Sequence, residues 1–284
     1  MNKVAIVTDS VSYLPKEYLE KYNITMTSQI LIWGEQTFED GIDIEPEEFY
    51  RRLATAKKMP TTTQVPVPKM QEAFSTLLEQ GYSVLGVFIS SKLSGTLESA
   101  FQAREMLGSG QEKVEIVDSH SAAMAEGFQA LAAARAALDG ASLAECKAVA
   151  EKARTLTGIY FVVDTLEFLH RGGRIGGAAR LLGTALNLKP ILAVQNGKVE
   201  PVERIRTKRK AMDRMIEIVA EQCVGKNAVQ LATVHANAYE DAKEVIEKAS
   251  GLLNVTEKIV TDVSPVVGAH TGPGTVGLAY MIES

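Results

Sequence analysis

The sequence predicts an α/β protein of two domains, an N-terminal domain with a parallel sheet and a smaller α+β domain with a mixed sheet. Over the first half of the chain, short β-rich runs alternate with amphipathic helical patterns, which is typical of parallel strands covered by helices on both faces. A hairpin signal, Asn196-Gly197 between two apolar runs, occurs in the second half and indicates antiparallel pairing there. The length of 284 residues suits two ordinary domains.

The N-terminal domain is predicted to span residues 1–158. Its apolar runs are short and bounded by turn residues, so they are interpreted as buried strands. The predicted elements, in order, are a strand at 3–8, a helix at 15–21, a strand at 24–33, a helix at 46–56, a strand at 83–89, a helix at 97–107 and a strand at 113–117. Two further helices, at 121–138 and 143–156, lead out of the domain. Ser142 with Glu145 three residues later is a capping-box signal for the second of these.

The C-terminal domain is predicted to span residues 159–284. Its elements are a strand at 158–165, the hairpin at 189–205, a helix at 208–222, a strand at 228–234, a helix at 239–249, a strand at 254–260 and a final strand at 275–281. Before the final strand, the stretch "VGAHTGPG" (267–274) holds His270 among three glycines and a proline. This composition predicts a tight loop between the last two strands.

Composition and charge exclude several classes of function. The formal net charge of -5 argues against a general nucleic-acid binder, although basic residues cluster once, in "ERIRTKRK" (203–210). No run of 18 apolar residues occurs, and the N-terminal stretch lacks the pattern of a secretory signal, so a cytoplasmic protein without an integral membrane segment is expected. Cys146 and Cys223 each lie in a helical pattern far from the other, which favours buried packing over a disulfide or a metal site.

Hydroxyl side chains recur where predicted strands end. They lie at 8–10, 90–96 and 118–121, and a fourth group, 61–63, lies in a proline-bracketed loop. Each hydroxyl by itself is a favoured helix N-cap. Together, because ligands of open parallel sheets bind beyond the carboxyl ends of the strands, the four groups predict a receptor for a carboxylate or phosphate. Gly95 would let the backbone approach such a group closely. No nucleotide-binding motif of the P-loop or GxGxxG type is present.

Two other features leave alternatives open. Ser94 with His270 as its base would make a serine hydrolase or esterase, but the surroundings of Ser94 are not G-x-S-x-G and no acidic partner of the histidine is evident. The glycine-rich stretch 166–192 predicts a short helix with a glycine C-cap and then an apolar helix at 178–188. It suits either an ordinary helix-loop-helix corner or a narrow apolar slot for a chain-like ligand.

An ordered set of motifs resembles the DegV family along essentially the whole chain. The motifs are "TDS" (8–10), "TTQ" (62–64), "SSKLSGT" (90–96), "VDS" (117–119), "LEFLHRGGRI" (166–175), "LNLKPIL" (186–192) and "HTGPGTVGL" (270–278). The resemblance implies a bacterial two-domain α/β protein that holds a fatty acid in a deep apolar tunnel. It also implies the role of lipid-binding subunit of fatty acid kinase, in which a separate ATP-dependent kinase subunit phosphorylates the bound carboxylate to an acyl-phosphate for phospholipid synthesis.

The resemblance also implies roles for individual residues. It places Thr62, Ser94 and His270 at the fatty-acid carboxylate, with Thr63 and Gly95 beside them. It makes Arg171, Arg174, Arg204 and Arg206 candidates for the anionic head group or the kinase surface. No metal and no cofactor other than the bound fatty acid is expected, and membrane contact is transient at most. The family commonly has Thr-Ser-Gln-Pro where this chain has Thr63 and Val65; the hydroxyl is retained, whereas loss of the proline is expected to loosen the loop. A sensor or structural module with incidental lipid is a further alternative.

Overall fold

The fold was determined as a computed structural model, which describes residues 3–183, 188–226 and 228–283. Its strands are β1 Val4–Asp9, β2 Ile24–Thr27, β3 Ile30–Trp33, β4 Gln36–Glu39, β5 Thr61–Thr63, β6 Ser83–Phe88, β7 Val114–Asp118, β8 Thr157–Val162, β9 Lys189–Gln195, β10 Lys198–Ile205, β11 Val229–His235, β12 Val255–Asp262 and β13 Val276–Ile282. Its α-helices are α1 Lys16–Lys21, α2 Pro46–Leu53, α3 Val67–Glu79, α4 Thr96–Glu105, α5 Met124–Leu138, α6 Leu143–Leu156, α7 Glu167–Arg171, α8 Lys208–Gln222, α9 Tyr239–Ser250 and α10 Pro265–Thr271. None of these helices has the length and hydrophobicity that a membrane crossing requires.

The first sheet confirms the predicted parallel arrangement. Its four strands lie in the order β2-β1-β6-β7, and every neighbouring pair is parallel. Asp9 pairs with Thr27, and Phe88 pairs with Asp118, so the carboxyl ends of the strands meet at one edge. The loops that follow the strands therefore gather at that edge, as the sequence predicted.

The second sheet confirms the predicted mixed character of the C-terminal part. Its order is β10-β9-β8-β13-β11-β12, in which only β11 and β12 are parallel. The hairpin β9–β10 turns at Asn196 and Gly197, whose φ angles of 50° and 79° are those of a tight hairpin turn.

A small third sheet corrects the prediction for the segment 24–33. This segment is two strands rather than one, because β2 joins the parallel sheet while β3 leaves it and pairs antiparallel with β4 and β5. The stretch 61–63, predicted to be a loop, is the edge strand β5. The helix α3, which begins with Val67 and has Pro68 in its first turn, was not predicted. Proline in that position is compatible with a helix start, whereas the sequence interpretation used the prolines only to bracket a loop at 61–63.

The helix α5 lies between the two large sheets and packs against β1 and β8. One hydrophobic cluster accordingly includes residues of both halves, among them Ile6, Leu131 and Ala279. The division into domains 1–158 and 159–284 remains a prediction, with β8 beginning at Thr157. The predicted capping box of α6 is present: Ser142 Oγ accepts a hydrogen bond from the backbone N–H of Glu145, and the Glu145 carboxylate accepts one from Ser142 N.

Two predicted elements in the C-terminal half differ from the structure. The apolar helix expected at 178–188 is a short 3₁₀ helix, Gly176–Leu181, and positions 184–187 of that prediction lie outside the described residues. The tight loop expected at 267–274 is wrong in its first half, which is the end of helix α10. The turn begins only at Gly272, whose φ of 75° suits glycine.

Candidate functional site

A cavity with largely apolar walls lies between the parallel sheet, the mixed sheet and helix α10. Its volume is about 160 Å³. Val11 and Ala123 line it from the N-terminal half, Ile159 and Val234 from the mixed sheet, and Val266 from α10. Because these walls offer few hydrogen-bond partners, the cavity suits an apolar chain better than a polar molecule.

Polar side chains converge on this cavity from three separate parts of the chain. Thr62 lies in β5, Ser94 lies just before α4, and His270 lies in the last turn of α10; all three line the cavity. We refer to Thr62, Ser94 and His270 as the polar cluster. Thr62 Oγ1 and His270 Nε2 are 2.7 Å apart, which is a short hydrogen bond between residues 208 positions apart in sequence.

Thr62 is placed by the small antiparallel sheet. Its partner in the register is Leu31, a fully buried residue of β3. Because side chains alternate along a strand, this register sets which face of β5 Thr62 occupies. The unexpected strand is therefore the element that directs the Thr62 hydroxyl to the cavity.

Ser94 is held by hydrogen bonds on several sides. Its hydroxyl lies 3.0 Å from Thr96 Oγ1, accepts the backbone N–H of Thr96 at 3.3 Å and donates to Gln29 Oε1 at 3.4 Å. Thr96 Oγ1 also accepts the backbone N–H of Val65 at 3.3 Å. This last bond ties the loop of Ser94 to the segment that follows Thr62.

The hairpin of the mixed sheet fixes the preceding part of that loop. Ser90 Oγ donates to the carbonyl of Gly197 at 3.0 Å, and Lys92 Nζ donates to the carbonyl of Asn196 at 2.8 Å. The predicted hairpin turn thus holds the hydroxyl-rich loop of the N-terminal half in place.

Helix α10 carries His270 and is anchored at its start by a distant carboxylate. Asp40 Oδ1 accepts the backbone N–H of Val266 at 3.1 Å, and Asp40 Oδ2 accepts the hydroxyl of Ser10 at 2.7 Å. An anion near a helix N-terminus is stabilising because it satisfies free N–H groups and the helix dipole. Burial raises the pKa of Asp40 to about 6, so the carboxylate is ionised at neutral pH.

His270 is neutral at pH 7. Burial, and after it the charge of Arg174, lowers the pKa of His270 from 6.5 to about 4. Its Nδ1 atom is buried without a hydrogen-bond partner and faces Gly172, where a Cβ would lie 2.9 Å from His270 Cε1 and closer still to Nδ1. An unpaired acceptor there costs less than an unpaired N–H, which favours the tautomer with its proton on Nε2. In that tautomer the imidazole donates to Thr62, and the Thr62 hydroxyl proton is free for a ligand.

The four candidate arginines lie in different environments. Arg174 is half-buried and lines the cavity; its Nε donates to the carbonyl of Leu93 and its Nη1 to that of Gly172. Arg171 is exposed and forms an ion pair with Glu167. Arg204 and Arg206 are exposed and do not line the cavity. Of the four, only Arg174 is placed where its charge acts on the polar cluster.

The two remaining candidates, Thr63 and Gly95, also line the cavity. Thr63 is exposed, lines the cavity and donates to Gln64 Oε1 at 3.5 Å. Gly95 also lines the cavity, and a Cβ there would come within 2.9 Å of the Gln64 side chain. The absence of a side chain at 95 therefore makes room for Gln64.

The arrangement does not match a hydrolase dyad. Ser94 is hydrogen-bonded to Gln29 and Thr96, and His270 is hydrogen-bonded to Thr62 rather than to Ser94. No carboxylate orients His270, because its Nδ1 has no partner in the described part of the chain, whereas a triad requires that partner. Likewise, no group of three or more His, Cys, Asp or Glu side chains within the described ranges could hold a metal ion. What the cluster offers is hydrogen-bond donors and acceptors on the wall of an apolar cavity.

Gln29 was missed by the sequence interpretation. It is 3% exposed, lines the cavity and contacts Ser94. It was missed because residues 24–33 were interpreted as one strand, so that no loop was expected at Gln29. The signal that could have found it is Ser28-Gln29, two polar residues inside an apolar run, directly after a strand of the parallel sheet ends.

The chain is similar to known proteins along nearly its whole length. The profile of a family described as uncharacterised protein, DegV family, matches residues 3–283. A DegV domain-containing protein of Streptomyces coelicolor is 38% identical over 279 residues, covering 97% of each chain. A DegV family protein of Thermus thermophilus, whose solved structure is described as fatty acid binding, is 31% identical with a TM-score of 0.93 over 99% of this chain and 100% of that one. DegV of Bacillus subtilis, described as a fatty acid binding protein, is 31% identical with a TM-score of 0.90 over the whole of both chains.

Proposed function

The chain belongs to the DegV family, and on this basis we propose that it binds a long-chain fatty acid in the cavity, with the carboxyl group at Thr62, Ser94 and His270. The observation that carries this proposal is the combination of apolar walls with a polar cluster that converges from three distant parts of the chain. The fatty acid binding described for the proteins of T. thermophilus and B. subtilis supports the same ligand class.

The apolar walls supply the affinity. Burial of each methylene contributes roughly 0.8 kcal/mol, so a dozen methylenes offer about 10 kcal/mol before the cost of association. Part of this sum is lost to the ordering of the acyl chain and to its translational freedom. The remainder is still consistent with a lipid that stays bound during purification.

The polar cluster supplies the preference for a carboxyl head group. A carboxyl group placed in an apolar cavity needs hydrogen bonds, because an unpaired buried polar group is costly. The Thr62 hydroxyl and the Ser94 hydroxyl are donors that do not need to change charge. A methyl ester would fill the same cavity but would lose part of these interactions.

We further propose that the protein is a carrier in the cytoplasm and has no nucleotide site of its own. A separate ATP-dependent kinase subunit would phosphorylate the bound carboxyl group to an acyl-phosphate for phospholipid synthesis, as the family resemblance implies. The lack of a nucleotide-binding motif in the sequence supports a divided arrangement. Arg174, close to the cluster, and the exposed Arg171, Arg204 and Arg206 are the candidates for contact with the phosphate or the kinase surface.

Lipid extraction and mass spectrometry of the purified protein test the ligand class directly. We expect a long-chain fatty acid, and an empty protein that also refuses every fatty acid offered would refute the proposal. The combined variant Thr62→Ala with Ser94→Ala should weaken binding of a fatty acid far more than binding of its methyl ester. Thr61→Ala with Ser91→Ala, two exposed hydroxyls outside the cavity lining, is the matched control. Equal losses for acid and ester would contradict the role of the cluster.

A reconstituted reaction with ATP and the kinase subunit tests the carrier role. Arg206→Ala should leave fatty acid binding unchanged and slow the formation of acyl-phosphate, because Arg206 is exposed outside the cavity. A protein that binds fatty acid but is not phosphorylated with any kinase partner would instead support a sensor or structural module. Turnover of an activated ester that disappears in Ser94→Ala would support the hydrolase alternative.

A further inference from the structure

Gln29 lies beside the polar cluster and is held in place through its backbone and its side chain. Its backbone N–H donates to Ser10 Oγ at 3.2 Å, and its carbonyl accepts the N–H of Asp40 at 2.9 Å. The side-chain oxygen accepts the Ser94 hydroxyl at 3.4 Å. Because the residue is 3% exposed and lines the cavity, its side chain has little freedom to choose another orientation.

The buried carboxylate of Asp9 determines which end of the Gln29 amide faces the cavity. Asp9 is fully buried; its Oδ1 accepts the N–H of Val11 at 2.9 Å, and its Oδ2 accepts the N–H of Ile89 at 3.0 Å. Gln29 Nε2 donates to the same Oδ1 at 3.4 Å. An ionised carboxylate only accepts hydrogen bonds, so the NH₂ end of Gln29 must face Asp9. The carbonyl end, an acceptor, therefore faces the polar cluster.

Glu126, the acid next to Asp9, does not change the orientation of the Gln29 amide. Burial raises the pKa of Glu126 well above its ordinary value, and burial raises the pKa of Asp9 to about 6. Burial favours the protonated form of Glu126, whereas Asp9 is ionised at neutral pH. Glu126 Oε1 accepts the Thr8 hydroxyl at 3.3 Å. The Asp9 carboxylate therefore places a negative charge behind Gln29.

The charges around Gln29 and the polar cluster, taken together, sum to a negative value. Arg174, His270 and Tyr13 line the cavity, whereas Asp9 contacts the Gln29 side chain, Asp40 contacts the Gln29 backbone and Glu126 lies beside Asp9. At pH 7 Asp9 and Asp40 are anions, Arg174 is a cation and His270 is neutral. An ionised fatty acid would add a further negative charge to a buried site, which is strongly disfavoured.

We propose that the fatty acid is bound with its carboxyl proton in place, and that Gln29 is a positioning residue that accepts this proton in a hydrogen bond. The inference rests on the proposed function and specifies the chemical form of the ligand. The O–H of the acid donates to Gln29 Oε1, and the C=O of the acid accepts from the Thr62 hydroxyl. The Ser94 hydroxyl no longer donates to Gln29 and donates to the second lone pair of the same C=O, while Ser94 Oγ accepts the hydroxyl of Thr96, 3.0 Å away. One donor and one acceptor of the ligand are matched, and no charge is buried.

Carbon-13 NMR of a bound fatty acid labelled at its carboxyl carbon tests this inference without any variant. At pH 7.5 a free carboxylic acid is ionised, since the pKa of an ordinary carboxyl group such as that of Glu is about 4.3. We expect the bound resonance at the position of the protonated acid at pH 7.5. A bound resonance at the position of the carboxylate would overturn the inference while leaving fatty acid binding intact. The absence of any bound resonance would instead refute the proposed function.

The dependence of affinity on pH gives a second measurement. Between pH 7 and 9 the ionised free acid must take up a proton to bind, so the dissociation constant of the acid should rise about tenfold per pH unit. The dissociation constant of the methyl ester should stay constant over this range. An acid whose affinity does not change between pH 7 and 9 would contradict the inference. The range lies above the pKa of Asp9 and of Asp40, each about 6.

The variant Gln29→Met removes the acceptor while preserving approximate size. We expect its affinity for the acid to fall about tenfold and its affinity for the methyl ester to stay the same. Gln102→Met, at an exposed position on α4 whose amide contacts Glu98, should behave as the wild type. If Gln29→Met keeps the wild-type affinity for the acid and the wild-type pH dependence, Gln29 does not hold the proton and the inference fails.

Discussion

Gly172→Ala is expected to disconnect His270 from Thr62. Gly172 is the C-cap of α7 with φ of -74°, so alanine fits its backbone without strain. A Cβ at this position would lie 2.9 Å from His270 Cε1 and 3.1 Å from Cγ, whereas carbon atoms pack at about 3.5–4.0 Å. The imidazole must therefore move by at least ~0.6 Å to restore ordinary contact, which stretches the 2.7 Å hydrogen bond to Thr62 to the limit of a useful one.

The loss of the hydrogen bond between His270 and Thr62 should change the affinity for a fatty acid by an amount that binding measurements can detect. A hydrogen bond contributes about 1–1.5 kcal/mol, so we expect the affinity for a fatty acid to fall roughly fivefold to tenfold and the affinity for its methyl ester to fall much less. Overpacking should also lower the free energy of unfolding by about 1–3 kcal/mol, as measured by urea titration.

Gly173→Ala is the matched control for this substitution. A Cβ at 173 meets no atom within 4 Å, but φ is +71°, so alanine there costs about 1 kcal/mol of stability through backbone strain alone. We expect this variant to be less stable and to bind the fatty acid as the wild type does. Wild-type discrimination between acid and ester in Gly172→Ala would refute the reasoning, because the imidazole would then have no part in holding the carboxyl group.

Three further outcomes are expected. Ser142→Ala should lower the free energy of unfolding by about 1 kcal/mol in urea titrations, since Ser142 forms a capping box with Glu145; Thr207→Ala, at an N-cap without a side-chain bond, should have little effect. Arg135→Ala should cost about 1–3 kcal/mol, because Arg135 Nη2 lies 2.9 Å from both carboxylate oxygens of Glu257 in a partly buried pair; full stability of this variant would show that the pair does not stabilise the fold. His270 takes up a proton at pH 6.5 when unfolded and only near pH 4 when folded, so acid favours unfolding. As pH falls from 6.5 to 4, the free energy of unfolding of the wild type should fall by up to about 3 kcal/mol more than that of His270→Gln. If the free energies of unfolding of the two proteins change in parallel with pH, the lowered pKa of His270 is contradicted.

The sequence by itself determined the elements whose signal is local. The parallel sheet followed from short apolar runs separated by helical patterns, and its four-stranded form agrees with that prediction. The hairpin turn at Asn196-Gly197 and the capping box at Ser142 were also predicted correctly, because each depends on residues within a few positions of one another. The resemblance to the DegV family, carried by motifs spread over the chain, is confirmed by the family match over residues 3–283.

Only the tertiary structure decided how the site is assembled. The stretch around His270 resembled a loop, yet it ends a helix, at whose start Asp40 accepts the backbone N–H of Val266, 226 positions away from Asp40. Thr62 faces the cavity because β5 pairs with β3 in a sheet that the hydrophobic pattern of the sequence did not predict. Gln29 joins the cluster because β2 ends and the chain crosses to another sheet. Local patterns report which residues favour a helix or a strand, whereas partners distant in sequence are selected by packing and by the need to satisfy every buried polar group.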